Sequence, residues 1–269
     1  MSGATPDWTL MGIVNVTPDS FSDGGRFFDS SRAIEHGLRL VEEGAVILDI
    51  GGESTRPGSA PVSAAEESER VIPVIEGLKG CGARLSVDTR HAEVMQAVLN
   101  AGVNIINDIS ALTHDAESLP VVASAQCGVV LMHMQGEPQT MQAAPVYQDV
   151  VREVYDYLAA RVAACEAAGI EKNRIMIDPG IGFGKTLKHN LTLLNSLYKF
   201  ELLGVPVLLG ASRKRFIEGI CAGSPADQRL GGSIAAALSG YQQGIRHFRV
   251  HDVKETAQAL AVMAAISHE

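Results

Sequence analysis

Polar side chains recur at the ends of short apolar runs along this chain. Asp88, Asn107 and Asp178 each follow such a run. Two carboxylates and an amide around one cavity suit the acid pair of a glycosidase, a divalent metal, or a ligand edge with adjacent N–H donors. Because Asn107 offers a donor as well as an acceptor, the set favours hydrogen bonding to a planar heterocycle.

A second group of side chains is basic, although the chain as a whole is acidic. Its members lie at or just beyond the ends of apolar runs. They are Arg56, Arg213, Lys214, Arg249 and His251. Such a cluster is suited to a phosphate or a carboxylate, although a solvated surface charge is an equally good interpretation of Arg213. The amide oxygen of Asn15 would add a ligand of the kind that Mg²⁺ prefers.

The segment DPGIGFGKT, residues 178–186, looks like a nucleotide-binding loop but fails the test for one. A phosphate-binding loop needs glycine five positions before its last glycine, and Pro179 stands there. Gly180 and Gly182 are better explained by a sharp turn after a strand. Such a turn would direct Asp178 into the site, with Phe183 as an apolar wall.

The apolar runs that carry these residues must position them. The runs are short, rich in β-branched residues and flanked by glycine and proline, which is typical of strands buried on both faces. They are Leu10–Val14, Val46–Ile50, Leu85–Val87, Val103–Ile106, Val129–Met132, Ile175–Ile177, Val205–Leu209 and Phe248–Val250. With helix-length stretches between them, the order is that of a (β/α)₈ TIM barrel, whose chemistry lies at the carboxyl ends of the strands. We predict one α/β domain over residues 1–269.

Helix signals fall between the runs. Ser63 and Glu66 form a capping-box pair, and Thr89 is a second candidate N-cap. The predicted helices are Asp29–Glu43, Ser63–Lys79, Thr89–Val98, Asp115–Gln126, Tyr147–Ala168, Asn190–Leu203, Ala226–Gln243 and Val253–Ile266. The connections after the first and second strands, Thr17–Phe28 and Glu53–Ser63, are long and rich in Gly, Pro and Ser. Long polar loops at the active end of a barrel are usually lids or clamps, and a disordered insertion is the alternative.

Composition excludes several classes of protein. The 269 residues are 46% hydrophobic and 20% charged, which describes a globular chain with an ample core. A net charge of −9 argues against nonspecific binding to nucleic acid or anionic membrane. The four cysteines form no Cys-x-x-Cys pair and the histidines no ligand-spaced cluster, so neither disulfides nor zinc are expected. No signal segment and no membrane-length apolar run is recognised, so a cytoplasmic location is predicted.

Longer strings in the sequence resemble the bacterial dihydropteroate synthase family. The strings are MGIVNVTPDSFSDGG (Met11–Gly25), DIGGESTRPG (Asp49–Gly58), SVDT, NDIS, LMHM, DPGIGFGKT, GASRKRF and RVHDV. They follow one another in the family's order over essentially the whole chain, and the first two are highly specific.

The resemblance implies a transferase of folate biosynthesis. Enzymes of this family join 6-hydroxymethyl-7,8-dihydropterin diphosphate to 4-aminobenzoate and release diphosphate, assisted by Mg²⁺. The resemblance also implies a pterin-binding catalytic domain, a homodimer, and sulfonamides as competing ligands. We hypothesise an SN1-like path, because positive charge at the reacting methylene would delocalise into the electron-rich pterin.

The resemblance also assigns residues. The pterin would be bound by Asp88, Asn107, Met132, Asp178, Phe183 and Lys214. The diphosphate would be held by Asn15, Arg56, Arg249 and His251, with magnesium at Asn15. The aminobenzoate and the long loops would involve Phe21, Asp23, Thr55, Arg56, Pro57 and Ser212. The catalytic residues would be Asp88, Lys214, Arg249 and His251. Where some family members carry a small hydroxyl residue after the lysine, this chain has Arg215, so Ser212, a backbone N–H and Arg215 are alternative contacts for the aminobenzoate carboxylate.

Three other functions are alternatives. A pterin-binding methyltransferase on a similar barrel would have no use for the basic cluster or the STRPG loop. A pterin-binding protein without catalysis would not need intact loop and anion-binding residues. A glycosidase would need aromatic sugar platforms, whereas the one tryptophan, Trp8, lies outside the strand ends.

Overall fold

Eight parallel strands form the centre of the molecule. The computed structural model describes residues 6–16, 26–54 and 61–267. The strands are β1 (Thr9–Asn15), β2 (Ile47–Gly51), β3 (Arg84–Asp88), β4 (Ile105–Asp108), β5 (Gly128–Met132), β6 (Ile175–Asp178), β7 (Leu208–Leu209) and β8 (His247–Val250). Their order in the sheet is β6-β5-β4-β3-β2-β1-β8-β7, and a parallel bridge between Ile177 and Val207 joins the two outer strands. The predicted barrel is confirmed.

Helices follow the strands and cover the outside of the barrel. They are α1 (Arg26–Glu42), α2 (Ala64–Leu78), α3 (Ala92–Asn100), α4 (Ser118–Ser124), α5 (Val150–Ala167), α6 (Leu187–Leu194), α7 (Arg215–Ile220), α8 (Leu230–Gln242) and α9 (Val253–Ser267). The Ser63 side chain caps α2 by accepting from Glu66 N, as predicted. Within the described ranges, no helix has both the length and the apolar character to cross a membrane.

Several predicted helix boundaries were wrong, including the starts of α4 and α5, which each lie three residues after the predicted one. The α1 helix begins at Arg26, inside the stretch predicted as loop. The α3 helix begins at Ala92 rather than at Thr89, because Thr89 Oγ1 accepts from His91 N and shapes the turn before the helix. The single helix predicted over Asn190–Leu203 is divided into α6 and a 3₁₀ helix, Leu197–Leu203.

The two faces of each strand have different roles, as the period of two requires. The outward residues, Leu10 and Val14 in β1 and Leu48 and Ile50 in β2 among them, are fully buried against the helices. Burial of each such side chain contributes about 1.5–3 kcal/mol. The inward residues near the amino ends form a separate apolar cluster. Its members are Met11, Ile47, Ile105, Val130 and Leu208. The polar residues of the barrel interior lie next to this cluster, on the side of the carboxyl ends of the strands.

The β7 strand is shorter than the predicted run Val205–Leu209, and only Leu208 and Leu209 pair as a strand. Pro206 has no N–H to donate, so it cannot take part in a regular ladder. Its carbonyl accepts from Ile177 N at 3.0 Å, and this bond helps to close the barrel between β6 and β7.

Register places polar residues from neighbouring strands at one level. Asn15 pairs with Gly51, Gly51 with Asp88, and Asp88 with Asn107. On the other side of the barrel, Met132 pairs with Asp178. Because the strands are parallel, these residues all lie at the carboxyl end, where the sequence predicted the site.

Candidate active site

A network of buried charges lies inside the barrel at the ends of β2, β3, β4 and β8. At its centre is Asp49, which is fully buried. Asp49 accepts from Ser86 Oγ at 2.5 Å and from Asn107 Nδ2 at 2.9 Å. The Arg249 guanidinium donates to Asp49 from Nε at 2.6 Å and to Asp88 from Nη2 at 3.1 Å. Arg249 is therefore fixed between two carboxylates.

This network changes the ionisation of its members. Burial raises the pKa of Asp88, and the positive charge of Arg249 opposes that rise. Burial alone would lower the pKa of Arg249, but Asp49 and Asp88 outweigh it and raise the value. Arg249 consequently stays cationic throughout the pH range in which proteins are stable.

Sequence reasoning missed Asp49 and Ser86 as site residues. The signal was present, because Asp49 interrupts the apolar run VILDI and stands two positions before Gly51, while Ser86 stands two positions before Asp88. Residues two apart on a strand share a face. Asp49 and Ser86 thus lie one layer below Gly51 and Asp88. These two residues belong to the carboxyl-end row, the row of paired residues at the carboxyl ends of the strands.

The opposite side of the site combines a carboxylate, a lysine and an apolar wall. Asp178 Oδ1 accepts from Gly180 N at 2.7 Å, and burial raises the pKa of Asp178. Lys214 Nζ lies 3.9 Å from the centre of the Phe183 ring, and burial lowers its pKa to about 8. Phe183 shares an apolar cluster with Met132. The predicted wall and carboxylate are thus next to each other.

Beneath this wall lies Lys185, which sequence reasoning considered only as part of the rejected nucleotide loop. Its Nζ lies 2.9 Å from His133 Nδ1, 3.3 Å from His133 O and 3.0 Å from Phe183 O. Burial lowers the pKa of Lys185 to about 7 and that of His133 to about 3. His133 is thus a buried, hydrogen-bonded histidine.

Two glycines let the turn after β6 touch the end of β5. Gly180 and Gly184 have φ values of +69° and +60°. A Cβ on Gly180 would lie 1.9 Å from His133 O, and one on Gly184 would lie 2.3 Å from Gln135 O. Backbone conformation and backbone contact therefore both require glycine at these positions.

His251 and Ser212 form a pair at the ends of β8 and β7. Ser212 Oγ lies 3.0 Å from His251 Nδ1 and accepts from His251 N at 3.2 Å. Arg213 instead forms an ion pair with Asp252, with Nε 3.0 Å from Oδ2, and Arg215 is exposed. The structure thus brings Lys214, Arg249 and His251 to one end of the barrel, while Arg213 is engaged with a carboxylate of its own.

The residues around Gly51 fit a magnesium ion. A Cβ on Gly51 would lie 3.9 Å from Asn15 Oδ1 and 3.8 Å from Asp88 Cβ, so glycine leaves the space between these side chains open. Mg²⁺ prefers oxygen ligands, keeps several waters, and is usually held by one or two protein groups together with substrate phosphates. Asn15 supplies such an oxygen beside an open space.

A second group of potential ligands comprises Glu53, Glu67 and His91. Ligand atoms of the three lie within 4.8 Å of one another. Glu67 Oε2 lies 2.8 Å from His91 Nδ1, and Arg90 Nη2 lies 3.3 Å from Glu53 Oε1. The hydrogen bond to Glu67 raises the pKa of His91. Because Arg90 already supplies positive charge here, a metal ion would have to compete with it. Sequence reasoning missed the group, whose residues come from three separate segments.

Five predicted loop residues lie outside the described residues. They are Phe21, Asp23, Thr55, Arg56 and Pro57. Their roles remain predictions from the sequence.

Comparisons with known proteins agree on one family. Residues 11–251 match the model of a family described as "Pterin binding enzyme". The chain is 47% identical over 257 residues to the dihydropteroate synthase of Escherichia coli strain K12, covering 95% of this chain and 90% of the relative. The Xanthomonas albilineans dihydropteroate synthase with 4-aminobenzoic acid is 51% identical, with a TM-score of 0.91 and coverage of 97% and 93%. The Yersinia pestis dihydropteroate synthase in a sulfonamide drug complex is 44% identical, with a TM-score of 0.91 and coverage of 97% and 94%.

Proposed function

The chain belongs to the dihydropteroate synthase family of pterin-binding enzymes, and we propose that named residues of its barrel carry out this transferase reaction. The reaction joins 6-hydroxymethyl-7,8-dihydropterin diphosphate to 4-aminobenzoate. The residue assignment rests on one observation: two separate sets of charged side chains lie at the same end of the barrel. Asp178 and Lys214 lie beside an apolar wall, and Arg249 lies between Asp49 and Asp88.

The pterin binds between Asp178, Lys214 and Asn107. The two carboxylate oxygens of Asp178 accept from the adjacent amino and ring N–H groups of the pterin. The Lys214 ammonium donates to the carbonyl side of the pterin. Asn107 adds an amide that both donates and accepts. Met132 and Phe183 cover the faces of the flat ring, and their shared cluster supports this part of the assignment.

The bond changes need neither a protein nucleophile nor a strong general base. The methylene C–O bond breaks and its electron pair leaves with the diphosphate. The positive charge left on the methylene spreads into the pterin, and the buried carboxylate of Asp88 stabilises it. The lone pair of the neutral aryl amine then forms the C–N bond, and the surplus proton on that nitrogen passes to diphosphate or water. This path is SN1-like.

The leaving group is held by Arg249, His251 and Asn15. Two of the five guanidinium N–H groups of Arg249 are used in the bonds to Asp49 and Asp88, so others can donate to diphosphate. Ser212 Oγ lies 3.0 Å from His251 Nδ1 and orients the imidazole that is proposed to contact the diphosphate. When bound at Asn15, Mg²⁺ neutralises charge on the diphosphate oxygens.

The second substrate lies under the two loops that follow β1 and β2. Phe21, Asp23, Thr55, Arg56 and Pro57 are the residues proposed to surround the aminobenzoate and to exclude water from the cationic intermediate. Because Ser212 is already engaged with His251, the exposed Arg215 is the better partner for the aminobenzoate carboxylate. Sulfonamides, found with the Yersinia pestis relative, would compete for this position.

We further propose one catalytic domain over residues 1–269, a homodimer, and a cytoplasmic location. Exposed apolar side chains on the segments that follow β6 and β7 support self-association. They are Leu187, Leu191, Tyr198, Leu202 and Ile220. Sedimentation of the full chain would test the dimer.

Turnover of the pterin diphosphate, with and without 4-aminobenzoate and Mg²⁺, tests the proposed function. We expect formation of 7,8-dihydropteroate, with one diphosphate released for each, only when all components are present. Pterin binding without diphosphate release would instead identify a binding protein. Methyl transfer to a corrinoid without dihydropteroate formation would identify the methyltransferase alternative.

A further inference from the structure

Lys185 is a buried lysine that the proposed reaction does not use. It is 3% exposed. Its Nζ has three neighbours within hydrogen-bond distance, and all three are neutral acceptors when the amine is protonated. An ammonium has three N–H donors, so these contacts satisfy it completely. An ammonium buried without a carboxylate in contact is costly, and its retention calls for a reason.

The contacts of Lys185 join the two segments that form the proposed pterin slot. Two of the acceptors belong to His133, which directly follows Met132 at the end of β5, and the third is the carbonyl of Phe183. The Phe183 ring in turn packs against Met132 and lies under Lys214. Lys185 thus holds both walls of the slot from behind.

Lys185 is also one of three cations that lower the pKa of Asp178. Burial raises the pKa of Asp178, and the hydrogen bond from Gly180 N opposes this rise, as do the charges of Lys214 after β7, Arg249 in β8 and, least of the three, Lys185 after β6. Arg249 is already bonded to Asp49 and Asp88. Lys214 faces the slot, where the pterin carbonyl would share its charge. Lys185, by contrast, is hydrogen-bonded to His133 and to the carbonyl of Phe183.

We propose that Lys185 is a positioning residue for the pterin: its ammonium holds the Phe183 wall against the end of β5 without touching the substrate. This inference rests on the proposed function.

Steady-state kinetics of Lys185→Met and Lys185→Gln test the inference. We expect the KM for pterin diphosphate to rise about 10-fold or more in both variants, as a charge-assisted interaction is lost. The kcat and the KM for 4-aminobenzoate should stay within about two-fold, because Lys185 contacts neither reacting group. Lys188→Met, on the exposed surface of α6, is the matched control and should match the wild type.

The pH dependence separates a charge from a packing role. Burial lowers the pKa of Lys185 to about 7, so it is mostly protonated at about pH 6 and mostly neutral at about pH 8. The variants lack this ammonium at every pH, so they should differ from the wild type most where the wild-type amine is protonated and bonded to His133 and Phe183. The variant-to-wild-type ratio of KM for pterin diphosphate should therefore be larger at about pH 6 than at about pH 8.

The outcomes are distinct. An unchanged pterin KM, a loss confined to kcat, a ratio independent of pH, or full wild-type behaviour of Lys185→Gln would each overturn the inference. Lys185→Gln keeps N–H donors in the cavity, so it remains informative if Lys185→Met does not fold. If the wild type itself forms no dihydropteroate, the proposed function fails instead.

Discussion

The two sides of the site hold positive charge in different ways. On one side, Arg249 is bonded directly to Asp49 and Asp88. On the other side, Lys185 and Lys214 contact backbone oxygens, a histidine and an aromatic ring, and Asp178 acts on them only through space. Direct pairing raises the pKa of the arginine, whereas burial lowers the pKa of each lysine. Arg249 therefore keeps its positive charge, whereas Lys185 and Lys214 titrate near neutral pH.

This difference matches the two proposed tasks. A departing diphosphate needs a cation that cannot lose its proton, and a guanidinium between two carboxylates is such a cation. A pterin needs hydrogen-bond donors and acceptors matched to its edge, and partly desolvated lysines and a carboxylate supply these. The comparison predicts that the two sides respond differently to substitution and to pH.

The largest effect is expected from Arg249→Ala. It removes the proposed donor to the leaving group, and loss of one preorganised charged donor commonly lowers kcat about 10²–10³-fold. It also leaves two carboxylates buried without their cation, which should lower the free energy of unfolding by about 3–5 kcal/mol. Turnover and denaturant unfolding would measure both.

The control for this prediction is Arg152→Ala, which removes an arginine whose side chain is 79% exposed. A near-wild-type kcat in Arg249→Ala would refute the leaving-group role. A large loss of kcat with unchanged stability would show that Asp49 and Asp88 do not depend on Arg249.

An intermediate effect is expected from pH. The value of kcat/KM for pterin diphosphate should fall as pH rises through about 7 and about 8, because Lys185 and Lys214 lose their protons there. In Lys214→Arg the upper step should disappear, since a guanidinium stays protonated. On a plot of log(kcat/KM) against pH, the alkaline limb would then be less steep by about one unit of slope. Lys188→Arg is the control, and an unaltered alkaline limb in Lys214→Arg would exclude Lys214 as its origin.

The smallest effect is expected from Ser86→Ala. The Ser86 hydroxyl donates to Asp49 at 2.5 Å, on the side of the site that holds Arg249. Loss of this bond should lower the free energy of unfolding by about 1–2 kcal/mol and kcat only a few-fold. Ser124→Ala, at the exposed end of α4, is the matched control. A decrease in kcat as large as that of Arg249→Ala would mean that Ser86 itself contacts the substrate.

The carboxyl-end row could be predicted because parallel strands bring their ends together. Asp88, Asn107 and Asp178 follow apolar runs in the sequence, and the structure places each at the end of a strand. The layer below is harder to recognise. Asp49 lies inside its strand, so a rule based on strand ends passes over it, although the period of two would have found it.

Other features depend on contacts that no local pattern records. The bond from Arg249 to Asp49 joins residues 200 positions apart, and Lys185 reaches His133 across 52 positions. The short helix α7 begins directly after Lys214, where no helix was predicted. The division between α6 and the following 3₁₀ helix has no glycine or proline to mark it. Tertiary packing decides these features.

The glycines of the turn after β6 also limit how drug resistance could arise. Any larger residue at Gly180 or Gly184 would collide with main-chain oxygen atoms, which no change of rotamer relieves. An amino-acid substitution at either position would thus disturb the turn itself. Resistance to a compound that contacts this turn would therefore be expected to arise from substitutions at other positions.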